Sequence, residues 1–175
     1  MNKKYVITGA PGTGKTSIIN ELRKRNFNCI NENSREVISE QIIKGGDILP
    51  WKNQIAFENT IANMRAKQYL TSPKKSICFF DRSALDCAAY LKSNNLKATS
   101  EIIKIIKRCA FNSTAFYTPI WEEIYKNDNE RIEKIEQAKE IEGQILYVYR
   151  RQGYRLIEIP KISVIERVNF ILSRI

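Results

Sequence analysis

The sequence predicts a three-layer α/β/α sandwich built on a central parallel sheet of about five strands. Short apolar runs alternate with longer helical patterns along the 175 residues, as expected when each helix returns the chain to the start of the next strand. The apolar runs have no polar side, which is typical of strands that helices cover on both faces. The length indicates a single domain, residues 1–175.

The first half of the chain contains three of these strands. Residues 4–8 are β-prone, and residues 77–80 form a fully apolar run that ends at Asp81. Asn33 with Glu36 resembles an N-cap with its capping-box partner. The predicted order is strand 4–8, helix 15–24, strand 27–32, a helix to about residue 44, helix 52–70 and strand 77–80.

The second half continues the alternation. Ser83 with Asp86, and Ser163 with Glu166, mark the starts of two helices. An irregular aromatic segment, about 119–131, separates the fourth strand from a long amphipathic helix and is the predicted lid. The predicted order is helix 83–92, helix 100–109, strand 115–118, a long helix with apolar positions from 132 to 149, strand 154–159 and a last helix from 163.

The loops at the carboxyl ends of the strands are the places where this class of fold binds its ligands. These loops contain most of the glycine, acidic and arginine residues that stand next to predicted strands. They cover residues 9–16, 32–35, 81–83, 118–121 and 160–163.

Residues 9–16 match the phosphate-loop pattern GxxxxGK[ST] in full, between a predicted strand and a predicted helix. Glycines let consecutive backbone N–H groups turn toward phosphate oxygens, and the first turn of the helix adds its unpaired donors. Lys15 is expected to reach the β- and γ-phosphates of ATP, and Thr16 to place its hydroxyl on Mg²⁺. The predicted nucleotide-binding residues are Gly9, Ala10, Pro11, Gly12, Thr13, Gly14, Lys15, Thr16 and Ser17.

Asp81 follows the third predicted strand and is the expected second magnesium ligand, because hard cations prefer carboxylate and hydroxyl oxygens. The alternative for an aspartate at a strand end is a turn or a helix cap. Ser83 is better placed to cap the next helix, which leaves Asp81 for the metal. Thr16 and Asp81 therefore form the predicted Mg²⁺ site.

Four segments resemble a known family: the loop 9–16, the segment 32–36, the strand end Phe-Phe-Asp-Arg-Ser at 79–83 and the aromatic stretch 116–125. They look like the small P-loop ATPase/kinase family that is often labelled a predicted AAA-type ATPase domain. That family is similar to nicotinamide riboside kinase domains and, more distantly, to nucleoside and nucleotide kinases. The resemblance spans nearly the whole chain and implies a P-loop NTPase fold of the nucleotide-kinase type.

The family label does not imply motor chemistry in this chain. A hexameric motor needs an adjacent acidic pair at its second strand motif and a helical lid domain, whereas Asp81 is followed by Arg82 and no second domain fits. A GTPase needs a base-reading NKxD string, and residues 126–129 read Lys-Asn-Asp-Asn, which does not match. The compact kinase-like branch remains.

Glu32, Arg35 and Arg82 are the candidate residues around the phosphoryl acceptor. A hydroxyl acceptor needs a carboxylate to take its proton, and Glu32 stands where deoxynucleoside kinases have such a base. A phosphate acceptor needs no base, and arginines would dominate its site. We favour the hydroxyl, because Glu32 would repel an anionic substrate. The structural alternatives are an exposed loop carboxylate for Glu32 and a surface salt bridge for Arg82.

Arg131 and three aromatic residues are further candidates. Arg131 resembles the lid arginine that closes on the γ-phosphate, and a helix ion pair with the glutamates around it is the alternative. Trp51, with Trp121 and Tyr125, is a candidate for stacking on a planar acceptor, against the alternative of core or hinge packing. The turn 160–163 resembles the loop that edges the adenine in such kinases.

The composition limits the chemistry further. The chain has no histidine, which excludes triads built on imidazole, His-ligated zinc and HExxH proteases. Four cysteines show no CxxC pairing and predict neither a zinc site nor a redox motif. The net charge of +10 is scattered along the chain and interleaved with glutamate, so that we expect no nucleic-acid partner.

These observations predict an ATP- and Mg²⁺-dependent phosphotransferase that acts on a small-molecule acceptor, a nucleoside, riboside or nucleotide. One alternative is an ATP-binding NTPase that acts as a regulatory switch. Another is a binding module for acidic lipid headgroups or nucleic acid that uses the positive charge. The sequence contains neither a secretory leader pattern nor 18 consecutive apolar residues, so that we expect a cytoplasmic protein without a membrane span.

Overall fold

The computed structural model describes residues 3–123 and 135–175, and its centre is a five-stranded, all-parallel sheet. The strands are β1 (Lys4–Thr8), β2 (Asn28–Ile30), β3 (Cys78–Asp81), β4 (Thr114–Tyr117) and β5 (Arg155–Glu158). Their order across the sheet is β2-β3-β1-β4-β5. All five predicted strands are confirmed, and β1, which precedes the phosphate loop, lies in the middle.

Helices cover both faces of this sheet, which confirms the predicted three-layer sandwich. The described helices are α1 (Lys15–Lys24), α2 (Ser34–Lys44), α3 (Gln54–Thr71), α4 (Ala84–Ser93), α5 (Ser100–Arg108), α6 (Ile135–Arg151) and α7 (Val164–Leu172). Helices α1 and α7 pack together on one face, and α4 packs with α3, α5 and α6 on the other. None of the described helices combines the length and apolar composition needed to cross a membrane.

Successive residues of β1 contribute to opposite cores. Tyr5 and Ile7 pack with Phe79 in the layer of α1 and α7. Val6 packs with Tyr149 of α6 in the opposite layer. Because both sides of the strand are buried, no position of the central strand can be polar without a partner, which accounts for the continuous apolar runs in the sequence.

The register of the central strands brings three loops to one edge of the sheet. Ile7 pairs with Asp81, and Thr8 pairs with Tyr117. The Thr118 N–H continues this ladder and donates to Thr8 O at 2.9 Å. The phosphate loop, the turn after Asp81 and the segment after Tyr117 therefore leave the sheet side by side, where parallel sheets bind ligands.

The capping box predicted from Asn33 and Glu36 at the start of α2 is wrong. Asn33 Nδ2 donates to Glu36 Oε2 at 2.7 Å, and Asn33 Oδ1 accepts from Gln68 Nε2 of α3. That contact, 35 residues away in sequence, uses the oxygen that a cap would need. The Ser34 N–H donates instead to Glu32 Oε1 at 2.9 Å. The boxes that do form pair Ser83 with Asp86 and Ser163 with Glu166.

Candidate functional site

The phosphate loop joins β1 to α1 and requires glycine at its two ends. Gly9 has a φ of 141° and Gly14, the N-cap of α1, a φ of 85°, where residues with a side chain are strained. At Gly9 a Cβ would also lie 2.4 Å from Thr118 Oγ1 and 2.5 Å from Thr118 O. The start of the loop therefore approaches the end of β4 more closely than any side chain would allow.

Lys15, the first residue of α1, is hydrogen-bonded to its own loop. Its Nζ donates to Ala10 O at 2.6 Å and to Thr13 Oγ1 at 3.3 Å. The Thr13 hydroxyl in turn lies 2.6 Å from the Thr118 hydroxyl beyond β4. The loop is thus closed by its own polar groups, and a phosphate oxygen would replace Ala10 O as the partner of the ammonium.

The Lys15 ammonium lies among buried charges that alter its pKa. Burial, and then the positive charge of Arg82, lower the pKa of Lys15 to about 7. Asp81, Asp86 and Glu32 act in the opposite direction without cancelling that effect. The two basic and three acidic groups therefore form one electrostatic cluster around the loop.

Asp81 and Thr16 are the side chains that the sequence assigns to Mg²⁺. Asp81 Oδ1 is buried and has no hydrogen-bond partner in the described part of the chain, and burial raises the pKa of this carboxyl. Thr16 lies in the first turn of α1 and is exposed. A carboxylate oxygen without a donor and an accessible hydroxyl fit the oxygen ligands that Mg²⁺ prefers.

Arg82 is buried, which is inconsistent with the alternative of a surface salt bridge. Its φ of 71° turns the chain at the end of β3. Its Nη1 donates to Gly9 O at 2.9 Å and to Asp86 Oδ1 at 3.3 Å, and the guanidinium carbon lies 5.4 Å from the centroid of the Tyr90 ring. Arg82 is therefore a fixed positive charge beside the phosphate loop.

Glu32 follows β2 and is half-buried rather than fully exposed in a loop. Burial by itself would raise the pKa of Glu32, but Arg82, Arg65 and the hydrogen bonds of Ser34 outweigh it and lower the pKa below its ordinary value. The Arg65 guanidinium lies 3.8 Å from Glu32 Oε1. Glu32 is thus an ionised carboxylate at neutral pH, in electrostatic contact with Arg82.

Arg65 and Glu58, both on α3, belong to the same cluster and were missed in the sequence. Arg65 Nη1 donates to Ser83 O at 2.7 Å and to Cys87 Sγ at 3.1 Å, while its buried Nε has no hydrogen-bond partner among the described residues. Burial raises the pKa of Glu58 to about 7, although Arg65 opposes this shift. Both side chains therefore add buried, ionisable groups next to Glu32 and Arg82.

One signal in the sequence could have revealed these two residues. Glu58 and Arg65 are seven positions apart, which is two helical turns, so that both lie on one face of α3. Phe57, Ile61 and Ala62 line the same buried side. Charged side chains inside an otherwise apolar helix face are almost never fully buried unless they are paired, so that this pattern indicates partners on other elements.

Trp121 lies close to the phosphate loop, in the segment after β4. It lines a shallow depression together with Thr13, Thr118 and Pro160. Its ring lies 4.6 Å from the guanidinium carbon of Arg167 on α7. The turn 160–163, which resembles the adenine-edging loop of kinases, therefore borders the same depression as Trp121.

Two further predicted site residues are exposed side chains at or next to α2. Arg35 lies exposed in the first turn of α2, and Trp51 is 52% exposed between α2 and α3. Arg131 and Tyr125 lie outside the described residues. The cluster that the structure does bring together contains Lys15, Glu32, Glu58, Arg65, Asp81, Arg82 and Asp86.

Comparison with known protein families gives one match over most of the chain. A family model described as AAA domain matches residues 4–167. No curated protein matches the chain significantly.

Solved structures with the same fold include two kinds of protein. Deoxyadenosine kinase from M. mycoides with products dCMP and dCDP superposes with a TM-score of 0.70 at 18% identity, covering 98% of this chain and 97% of that chain. The same kinase with bound dATP gives a TM-score of 0.64 at 16% identity, with 98% of each chain covered. The NadR protein in complex with NR gives a TM-score of 0.70 at 16% identity, covering 98% of this chain and 50% of that chain.

Proposed function

Because the chain belongs to the family described as AAA domain and is a P-loop kinase or ATPase, we propose that it transfers the γ-phosphoryl group of ATP to a hydroxyl of a small nucleoside- or riboside-type acceptor. The observation that supports this most directly is the placement of Glu32. An ionised carboxylate lies within the electrostatic cluster of Lys15 and Arg82, beside the phosphate loop. A phosphotransferase to a hydroxyl needs such a base next to the donor phosphates.

Phosphoryl transfer depends mainly on positioning and on neutralising the charge that spreads over the γ-phosphoryl oxygens. Lys15 would exchange its hydrogen bond to Ala10 O for one to a phosphate oxygen, and Arg82 supplies a second positive charge at Gly9. Thr16 and Asp81 would hold Mg²⁺, which supplies charge neutralisation on the β- and γ-phosphate oxygens. The chain thus surrounds the expected position of the γ-phosphate with cationic groups.

The acceptor hydroxyl would donate its hydrogen bond, and then its proton, to the Glu32 carboxylate. Arg82 and Arg65 keep this carboxylate ionised, and the Ser34 N–H fixes Oε1 at 2.9 Å. A phosphate acceptor would have to approach the same negative charge, which opposes its binding. The geometry therefore favours a hydroxyl acceptor over a phosphate acceptor.

The proteins of similar fold support the acceptor class. One is a deoxyadenosine kinase that was solved with deoxynucleotides, and another is the NadR protein solved with NR. A nucleoside or riboside would place a sugar hydroxyl toward Glu32 and a planar ring deeper in the cleft, toward α3. Glu58 and Arg65 are the buried charged groups of α3.

The reaction is tested by incubating the protein with MgATP and a panel of nucleosides, ribosides and nucleotides, and by measuring ADP together with the phosphorylated product. We expect ADP formation that depends on one class of hydroxyl acceptor and a product that contains the added phosphate. ADP release that no acceptor stimulates would favour the regulatory NTPase instead. Stimulation only by nucleoside monophosphates would contradict the hydroxyl acceptor.

The role of Glu32 is tested with Glu32→Gln. We expect kcat to fall by at least about 10²-fold with MgATP affinity within about twofold, because a general base typically contributes a factor of 10²–10⁴. Glu36→Gln is the matched control, because Glu36 is an exposed carboxylate in the first turn of α2 that accepts a hydrogen bond from Asn33 Nδ2. If Glu32→Gln and wild type turned over at the same rate, Glu32 would not be the general base.

A further inference from the structure

Arg82 adopts a backbone conformation that the surrounding structure has to hold. Its φ of 71° lies in the left-handed region, which is strained for a residue with a side chain. The residue nevertheless ends β3 in register, since its N–H donates to Ile7 O at 3.0 Å. Something outside the local backbone must therefore stabilise this turn.

Asp86 is the group that faces Arg82 from the first turn of α4. Its side chain is fully buried. Oδ1 accepts from Thr8 Oγ1 at 2.5 Å and from Arg82 Nη1 at 3.3 Å. Oδ2 accepts from the Ser83 N–H at 2.8 Å and from the Tyr149 hydroxyl at 2.6 Å. A buried carboxylate is tolerated only when it is paired and hydrogen-bonded in this way.

These contacts exceed what a helix cap needs. A capping box requires the bonds between Ser83 and Asp86 and no others. The box at the start of α7, Ser163 with Glu166, is exposed, and among the described residues its two side chains bond only to Ser163 and Glu166 themselves. In α4 the same motif also receives donors from β1, from Arg82 and from α6. The additional bonds link three parts of the molecule that are distant in sequence.

The linked groups converge on the entrance of the phosphate loop. Thr8 precedes Gly9, and Gly9 O is the acceptor of the second hydrogen bond of Arg82 Nη1 at 2.9 Å. Asp86 therefore bonds both the residue before the loop and the arginine that bonds the first residue of the loop. A displacement of its carboxylate would move Arg82 and Thr8 together.

We propose that Asp86 is a positioning residue of the transfer reaction, which holds the Arg82 guanidinium and the Thr8–Gly9 entrance of the phosphate loop in a fixed relation, with the Tyr149 hydroxyl fixing the carboxylate from α6. This inference rests on the proposed function. Asp86 acts through Arg82 and contacts neither substrate. Its charge matters, because asparagine would present an amide N–H₂ group where one oxygen now accepts hydrogen bonds.

The experiment is a double-mutant cycle on the rate of MgATP-dependent phosphoryl transfer, measured in single turnover with enzyme in excess. Asp86→Asn is expected to lower the rate by about 10²-fold in the wild-type background, since a misplacement near 1 Å in such a site has that effect. In an Arg82→Met background, Asp86→Asn should lower the rate by less than about threefold, because the guanidinium that Asp86 positions is absent.

Two further variants separate positioning from folding. Tyr149→Phe removes one hydroxyl and keeps the Asp86 charge, and it should lower the rate by about three- to tenfold while the protein remains folded. Thr99→Ala removes the N-cap bond of α5, in which Thr99 Oγ1 accepts from the Ile102 N–H at 3.2 Å. It should lower the melting temperature and leave the rate within about twofold.

The positioning role is overturned if Asp86→Asn and Tyr149→Phe each lower the transfer rate by the same factor in the wild-type and the Arg82→Met backgrounds. It is also overturned if neither substitution lowers the rate. If Asp86→Asn does not fold, the double-mutant cycle of Tyr149→Phe with Arg82→Met tests the positioning role instead. Failure of the proposed function is visible separately, in the wild type, as ADP release that no acceptor stimulates. The same cycle run on that basal release then tests Asp86 independently of the acceptor.

Discussion

The proposed nucleotide side and the proposed acceptor side of the site are constructed differently. The nucleotide side is one strand–loop–helix unit, in which residues 9–16 present backbone groups and Lys15. The acceptor side is assembled from Glu32 after β2 and Arg65 on α3, which interact through charge. Arg82 after β3 borders both sides, because it acts on Glu32 through charge and donates to Gly9 O of the phosphate loop. Substitutions in the first region should change nucleotide binding, whereas those in the second should change acceptor use, pH dependence and stability together.

The largest expected effect is on the nucleotide side. Lys15→Ala removes the cation that reaches the phosphates, and we expect loss of the MgATP-induced rise in melting temperature and a fall in turnover of at least about 10²-fold. Lys24→Ala, an exposed lysine in the last turn of the same helix, is the control. If MgATP still raised the melting temperature of Lys15→Ala as in wild type, residues 9–16 would not be the phosphate site. If Lys15→Ala lost as much acceptor affinity as MgATP affinity, the two regions would not act separately.

Arg65 tests the acceptor side. Arg65→Met should raise the KM for the acceptor by about 10- to 100-fold with MgATP affinity unchanged, since truncating one member of a buried charge pair costs several kcal/mol locally. The acid limb of the kcat profile should also move to higher pH, because Arg65 helps to lower the pKa of Glu32. Lys67→Met, exposed on the same helix, is the matched variant. An equal loss of MgATP affinity in Arg65→Met would contradict the assignment.

Glu58 should make folding stability depend on pH. Its pKa is raised from 4.5 to about 7, so that the folded chain retains a proton that the unfolded chain releases, and stability falls as pH rises through this window. Glu58→Gln removes this penalty, and its advantage in unfolding free energy over wild type should grow by roughly 1–3 kcal/mol between pH 5 and pH 8. Denaturant unfolding at both pH values measures it.

The control for Glu58 is Glu40→Gln on α2, where the carboxylate is exposed and pairs with Lys44 at 3.3 Å. Its unfolding free energy should follow that of wild type at both pH values, because an exposed pair contributes little. Parallel pH curves for Glu58→Gln and wild type would show that the buried carboxyl does not retain its proton.

The smallest effect is expected at the edge of the nucleotide site. Trp121→Ala removes the ring beside Arg167 and should weaken MgATP binding by about two- to fivefold, the scale of one weak cation–π contact. Trp51→Ala, which changes the exposed tryptophan between α2 and α3, should leave MgATP affinity unchanged. If Trp51→Ala lost more MgATP affinity than Trp121→Ala, Trp51 rather than Trp121 would lie at the nucleotide site.

Sequence patterns were sufficient wherever the structure is determined by neighbours in the chain. The five strands, the loop 9–16 and the position of Asp81 at the end of β3 follow from apolar runs and from one motif. The boundaries of the described helices differ from those predicted by only a few residues. These features need only local hydrogen bonds and burial on both faces of a strand, and both leave a direct trace in the sequence.

The acceptor side could be predicted only in part, because its contacts depend on packing between distant elements. Arg65 acquires its role when α3 places it against Ser83 and Cys87 of the turn and helix after β3. Asn33 is the N-cap of α2 as predicted, but its side chain forms no capping bond for a related reason, since Gln68 of α3 competes for the same oxygen. Local propensity cannot anticipate such competition, and the residues it misses are the ones that join two elements.

The burial of Lys15 beside Arg82 has a calorimetric consequence. A lysine with a pKa near 7 is only partly protonated in the free protein at neutral pH, and contact with phosphate oxygens restores its ordinary preference for the charged form. Nucleotide binding should therefore take up protons from the buffer. Titration heats measured in buffers of different ionisation enthalpy should differ accordingly, and binding should tighten as the solution is acidified from pH 8 to pH 7.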